Sequence, residues 1–358
     1  MEVYFVFYPL LFVPIMKERI WGGQVLKEKY NRDLPAEKIG ESWDVACHEN
    51  GTSIVANGEF KGKSLIQLIA QYGTELLGTR FKKHDFDKFP LLIKLLDASD
   101  VLSVQVHPGD EYAALHEGRE LGKTEMWYVI QAKPGAELVY GVKKGTTKEE
   151  FARAIARGDL EKYLNRIEVK SGDVVYIPSG TVHAIGAGIL ICEIQQNSDT
   201  TYRVYDWNRL GDDGKPRELH VGKALDVINF DTERTYDKVA GLSVKEGTSI
   251  RTYYVASKYF MMEKLEVKGK LDEEANGEYF VTLTVIEGQG KIRYSEGEQH
   301  FNGGDSLLIP ASLGPYSIVG ECVVIKAYVG DREKDIIGPL LKKGHSMEEL
   351  TRIAGLFE

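Results

Sequence analysis

With 358 residues, 43% apolar and 28% charged, the chain has material for one large or two ordinary domains with buried cores. Its 45 basic and 54 acidic residues give a formal charge of −9, which excludes a general attraction to nucleic acid or to an anionic membrane and leaves positive potential only to local clusters. Three distant cysteines, Cys47, Cys192 and Cys322, supply neither a disulfide framework nor a paired-cysteine metal motif, and fit a reducing, cytoplasmic setting.

In chain order, the apolar run YFVFYPLLFVPIM has no basic residues before it, two prolines inside it and no small-residue cleavage site after it. It is too short to span a bilayer and reads as a buried strand leading into KERIWGG. SLIQLIAQYG predicts a helix with a capping box, Ser64 at the cap and Gln67 three residues on, and an apolar face of Leu65, Leu68, Ile69 and Tyr72. FPLLIKLL, EMWYVI, AELVYGV, GDVVYIP and GILICEIQQ predict short strands between Gly-, Asp- and Pro-containing turns. TTKEEFARAIARGDLEKYL repeats the capped-helix device with Thr147 and Glu150, HVGKALDVI predicts a third helix, and SMEELTRIAGLF a fourth, capped by Ser346 with Glu349.

The expected fold is mainly β, a sandwich or barrel of antiparallel strands with a few helical insertions and a short C-terminal helical appendage. SGDVVYIPSGTVHAIG (171–186) and GGDSLLIPASLGPYSI (303–318) share Gly-Asp, an aliphatic run, Ile-Pro and a turn, so two related domains are expected. Aligned on Pro178 and Pro310, position 183 is His and position 315 is Pro, which leaves a metal ligand only in the first. A polar stretch at 229–250 serves as the boundary: a metal-binding catalytic domain over 1–235, a second domain without ligands over 236–331 and an appendage over 332–358.

The chemistry concentrates around VLSVQVHPGDEYA (101–113), where Gln105 and His107 replace aliphatic residues on one face of a strand. Residues two apart on a strand point to the same side, so both can face inward, and Ser103 shares that face. Buried polar groups need partners. The segment Gly172-x5-Pro178-x-Gly180-x2-His183 matches the second signature of the cupin superfamily, a turn into and out of a strand that delivers a histidine into a barrel. His107, Glu125 and His183 then form the two-histidine, one-carboxylate set of a catalytic zinc, with Gln105 as a neutral oxygen donor. A single buried His or Gln is usually just a hydrogen-bonded core residue; the combination is what points to a metal, and such donors also accept Fe, Mn, Co or Ni. Lys94 is the only charge within FPLLIKLL, Lys123 stands two residues before Glu125, Glu193 interrupts GILICEIQQ and Arg203 follows a turn after His183. Lys94 could instead snorkel from a strand edge, and Arg203 could simply pair with Asp199 or Asp206. Together these residues suit an anionic substrate that carries a phosphate and an oxygen to be polarised.

SVQVHP, GKTEMWYVI, GDVVYIPSGTVHAIG, EIQQNSDTTYRVYDW and KPRELHVGKALDVI, with KERIWGG and IGESWDV upstream, closely resemble the short bacterial form of the type I mannose-6-phosphate isomerases over roughly residues 8–330. The resemblance implies two cupin-like domains and a zinc-dependent interconversion of mannose 6-phosphate and fructose 6-phosphate through an enediol. It implies Gln105, His107, Glu125 and His183 as metal ligands, Arg203, Lys123, Glu193 and Glu41 as catalytic residues, and Ser103 and Lys94 on the phosphate. A family lysine is replaced by Arg217, also assigned to substrate binding, and arginine does not readily serve as a base. The alternatives are a sugar-phosphate sensor that binds without turnover and a cupin Fe(II) oxygenase.

Overall fold

The computed structural model describes residues 7–81, 88–118, 120–211, 214–230 and 237–358. Short β-branched and aromatic runs pair into antiparallel sheets, the cupin-like architecture expected. No helix among the described residues is long and apolar enough to cross a membrane.

Contacts separate the chain into two compact units, one of residues 16–42 with 94–238 and the other of residues up to Ile15 with 43–93 and 239–358. This differs from the contiguous division expected at about residue 235. Strand Leu10–Val13 pairs with Ser306–Ile309 and with Ile54–Val55, so the N-terminal segment completes the sheet of the C-terminal strands. Phe89 stacks on Phe280 with ring centroids 4.9 Å apart. Residues 332–358 are likewise no appendage: Ile336, Leu340, Leu350, Ile353 and Leu356 share one core with Leu265, Val267 and Tyr328. Ala354 is hydrogen-bonded at both its amide and carbonyl to the strand Ser249–Ala256. The sequence-predicted fourth helix is shorter than expected, Met347–Leu350.

In the unit that holds residues 94–238, two sheets share a core. One has the strand order Val174–Ile177, Glu125–Ala132, Ile189–Gln196, Leu91–Ala98, Ile39–Val45, Ile15–Gly23; the other runs Leu164–Glu168, Glu137–Val142, His183–Ile185, Val104–Val106, Tyr202–Tyr205. Trp21, Leu96, Trp127, Val129, Val175 and Ile191 from the first sheet pack with Leu138, Tyr140 and Ile185 from the second. On the outer face of the second sheet, Val104, Val106, Val139, Ala184, Tyr202 and Val204 pack with Phe151 and Ala154 of helix Lys148–Arg157 and Ala224 of helix Val221–Val227. All three predicted capping boxes are present, Ser64 with Gln67, Thr147 with Glu150 and Ser346 with Glu349.

Strict alternation then decides what the interior contains. On strand Ile189–Gln196, Ile191 lies in the core and Glu193 shares its parity; on Leu91–Ala98, Leu96 lies in the core and Lys94 shares its parity. Ile185 with His183, Trp127 with Glu125 and Trp21 with Arg19 follow the same rule. One end of the barrel interior is therefore packed hydrocarbon and the other is polar.

The other unit carries a nine-stranded sheet, in the order Leu242–Glu246, Ser249–Ala256, Met261–Ala275, Gly314–Tyr328, Val281–Tyr294, Ser306–Ile309, Leu10–Val13, Ile54–Val55, with Gly297–Asn302 beside Val281–Tyr294. The internal echo is also structural. Gly172 and Gly304 both have φ of 91°, a conformation natural to glycine alone. The Gly172 amide donates to the Val129 carbonyl, and the Gly304 amide to that of Val285. Val129 and Val285 are thus equivalent, and two residues earlier Trp127 pairs with Glu193 while Leu283 pairs with Lys326. By the same register Val281 stands where Glu125 does, so the second barrel lacks a carboxylate as well as a histidine at those positions.

A buried ion-pair network occupies the second barrel. Arg251, only 7% exposed, donates to Glu246, Glu263 and Glu273; Lys326 Nζ lies 2.5 Å from Glu273 and 3.7 Å from Glu263. Burial alone would raise the Glu263 pKa, but Lys326 and Arg251 hold it below the ordinary carboxylate value. Removing one partner leaves buried charge uncompensated. Arg251→Met should therefore destabilise the protein by about 3–5 kcal/mol, measured as a shift in the urea unfolding midpoint; an unchanged midpoint would show that the network contributes nothing.

Candidate active site and metal centre

His183, Gln105 and Arg203 lie side by side across three adjacent strands, with Gln105 the register partner of both others. His107 follows at the end of the Gln105 strand, and Glu125 begins a strand of the facing sheet. The donor atoms of His107, Glu125 and His183 all lie within 4.8 Å of one another, and all three residues are buried. His183 Nε2 is 3.2 Å from Glu125 Oε1, and His107 Nε2 is 3.5 Å from Glu125 Oε2. The amide of Gln105 sits 3.3 Å from His183 Nε2, and turning that amide over would present its oxygen at the same place.

The backbone orients both imidazoles. His107 Nδ1 lies 2.8 Å from the Thr200 carbonyl and His183 Nδ1 2.8 Å from that of Thr181. With Nδ1–H donated outward, each Nε2 carries its lone pair toward Glu125. His107 Nε2 and Glu125 Oε1 make no hydrogen bond. Burial keeps both rings neutral: it lowers the His183 pKa from 6.5 to about 4 and pushes His107 well below its ordinary value, with Lys123 adding to the effect. Two neutral imidazole nitrogens, a buried carboxylate and a carboxamide form a donor set that fits a divalent ion.

Beside this cluster, Lys123 Nζ is 3.0 Å from Glu125 Oε2. Burial opposes its charge, but Glu125 and Glu193 outweigh burial and raise its pKa. Glu193 accepts a 2.8 Å hydrogen bond from Trp127 Nε1 and lies 3.5 Å from Lys94 Nζ. Burial, then the charge of Glu125, moves the Glu193 pKa up toward its protonated form. Lys94 does not snorkel: it is 4% exposed and reaches Glu41 at 3.8 Å as well as Glu193. Arg203 pairs with neither Asp199 nor Asp206 in a salt bridge; its Nε donates to Ser103 Oγ at 3.3 Å and its Nη1 to the Glu218 carbonyl at 2.9 Å. Arg217 holds Asp206 with two hydrogen bonds of 2.7 and 2.6 Å.

A cavity of about 340 Å³ opens over the cluster, and its walls include Glu41, Lys94, Ser103, Gln105, Lys123, Glu193, Arg203 and Arg217. Every sequence-predicted site residue thus lies either in this wall or in the buried triad. Asp199, Trp21 and Arg19 also line the cavity. Arg19 was not predicted from sequence, although it stands two residues before Trp21 on the same strand face; the signal was the alternation used for Ser103 and Gln105.

The catalytic-domain model for type I phosphomannose isomerase matches residues 10–136, and the mannose-6-phosphate isomerase cupin-domain model matches residues 249–329. Mannose-6-phosphate isomerase ManA of Bacillus subtilis is 43% identical over 88% of this chain and 98% of its own length. The chain belongs to the type I phosphomannose isomerase family. Another relative, the mannose-6-phosphate isomerase of Streptococcus mutans, is 42% identical over 89% of this chain and 98% of its own. Among solved structures, that of the Bacillus subtilis mannose 6-phosphate isomerase superposes with a TM-score of 0.83 at 39% identity, covering 89% of this chain and 99% of the other. Relatives of this phosphomannose isomerase family therefore match it across both compact units.

Because the folded chain refuses a proton at His183 that the unfolded chain accepts, its neutral ring contributes stability above about pH 6.5 that is lost as pH falls toward about 4. Chelator-treated protein should lose on the order of 3 kcal/mol across that window. Urea titrations at several pH values check this, and His183→Asn should flatten the decline. Elemental analysis of His183→Ala should find the bound metal lost.

Proposed function

We propose that this chain is a zinc-dependent aldose–ketose isomerase that interconverts mannose 6-phosphate and fructose 6-phosphate by moving a proton between C1 and C2 through an enediol. The observation that carries this reading is the buried convergence of His107, Glu125 and His183, with His107 Nε2 and Glu125 Oε1 unspent, beside a cavity lined by lysines and arginines. The activity in the names of its relatives supports it.

Gln105, His107, Glu125 and His183 would hold the ion. When bound, a divalent zinc supplies Lewis acidity to the oxygens on C1 and C2. The chain's own groups provide the rest. Glu193 is the best-placed proton carrier: a buried carboxyl fixed by Trp127 Nε1, with its pKa shifted upward by burial and Glu125. Glu41 and Lys94 continue that line of charge toward the cavity mouth. Lys123, held cationic by Glu125 and Glu193, donates hydrogen bonds to substrate oxygens and does not abstract the proton. Arg203 sits beside Gln105 in register and stabilises the negative charge that develops on the enediol oxygens. Ser103, Lys94 and Arg217 bind the phosphate end; Arg217 is held by Asp206 and serves as a fixed donor, not a base.

Chelation should abolish mannose 6-phosphate turnover, and zinc should restore it, in an assay coupled to fructose 6-phosphate formation. Arg203→Ala should keep its metal and lose about two or more orders of magnitude in kcat. Metal-replete protein that binds the sugar phosphate without turnover would indicate a sensor, and oxygen uptake an Fe(II) oxygenase.

A further inference from the structure

Arg19 lies on Ile15–Gly23, the strand that ends one sheet of the metal-holding barrel, and Arg203 lies on Tyr202–Tyr205, which ends the other. Both line the same cavity, together with Arg217. The three guanidinium groups share a pattern of bonding. Arg203 uses Nε on Ser103 and Nη1 on the Glu218 carbonyl. Arg217 uses Nε and Nη2 on Asp206. Arg19 uses Nε on Glu41 Oε1 at 2.7 Å and Nη1 on the Glu18 carbonyl at 3.1 Å. Each is anchored at two nitrogens and keeps one, Nη2, Nη1 and Nη2 respectively, without a protein partner among the described residues.

An arginine fixed at two nitrogens has already lost most of its freedom, so its remaining donor is preorganised for an anion. Arg19 and Arg217 line one cavity of about 340 Å³, so both can present that donor to a single ligand. Arg19 is also more than Glu41 requires, because Lys94 Nζ already lies 3.8 Å from that carboxylate. Its side chain is 34% exposed, the open end of a line of charge that runs from Arg19 through Glu41 and Lys94 to the buried Glu193.

We propose that Arg19 is a specificity-determining residue for the phosphate of the substrate, gripping it from the edge strand of one sheet together with Arg217. This rests on the sugar-phosphate reading of the cavity. The phosphate lies at the far end of the hexose chain from the carbons that exchange the proton, so Arg19 and Arg217 serve that end while Arg203, beside Gln105 in register, serves the reacting carbons. Binding through Arg19 persists from ground state to transition state, so its loss acts on KM.

The test is steady-state kinetics of Arg19→Gln and Arg19→Lys on the metal-replete protein, with inorganic phosphate as a competing anion and the pH–rate profile as a second readout. Arg19→Gln should raise KM for mannose 6-phosphate about tenfold or more, change kcat less than about threefold, weaken inhibition by phosphate in step and leave the pH profile in place. Arg19→Lys, a point charge without the fork, should recover part of the loss. A fall in kcat with a displaced pH profile and an unchanged KM, reproduced by Glu41→Gln, would overturn the proposal and reduce Arg19 to a prop for Glu41. So would kinetics indistinguishable from the unmodified chain. An unmodified chain that fails to isomerise mannose 6-phosphate would instead strike at the functional reading, so the two failures are distinguishable.

Discussion

Glu125 has no exposed surface, yet its Oε1 accepts no hydrogen bond. A carboxylate removed from water without partners is among the most expensive groups a protein can bury. Lys123 at 3.0 Å offsets part of that cost, but two imidazoles that also turn their lone pairs toward it add acceptors, not donors. A divalent cation at the convergence point would satisfy all of them at once. The polar half of the barrel is organised around this constraint. The Thr200 and Thr181 carbonyls fix the imidazole tautomers, and the core formed by Trp127, Tyr140 and Ile185 seals the site from the other end of the barrel.

A metal also explains the charge order along the cavity. A divalent ion with one carboxylate ligand leaves the floor positive, and the adjoining acids and bases alternate outward from it: Lys123, Glu193, Lys94, Glu41, Arg19. Each cation offsets the desolvation of the carboxylate beside it, so the groups are mutually dependent, and changing one shifts the others. The upward shift at Glu193 is an instance: burial and Glu125 raise it while Lys123 and Lys94 pull against them.

Much of this site was legible in the sequence because its logic is local. The two-residue period of a strand placed Ser103, Gln105 and His107 on one face, and the turn motif after Gly172 delivered His183. Both helix caps read from Ser64 and Thr147 are present because the capping box is settled within four residues. Arg19 obeys the same period as Trp21, but it follows Lys17 and Glu18, and a third charge in that run is not marked as inward-facing by an apolar residue before it. The grouping of the chain was not legible. That strand Leu10–Val13 completes a sheet with Ser306–Ile309 depends on a pairing across about three hundred residues, and no local pattern in PLLFVPIM names its partner. The place of the tail was not legible for the same reason: SMEELTRIAGLF reads as a capped helix in an appendage, whereas the burial of Leu350, Ile353 and Leu356 is supplied by distant strands.

The second barrel shows what the same scaffold does when the ion is not required. Its turn at Gly304 repeats that at Gly172 down to the dihedral angle and the hydrogen bond to the partner strand, so the backbone framework does not depend on metal ligation. What differs is the filling. Val281 replaces the carboxylate, Pro315 replaces the histidine, and Lys326 stands at the register position of Glu193 with the opposite sign. There Arg251 and Lys326 satisfy Glu263 and Glu273 directly. The charges of that network are paired within the protein, whereas the first barrel gathers His107, Glu125 and His183 into a candidate metal site.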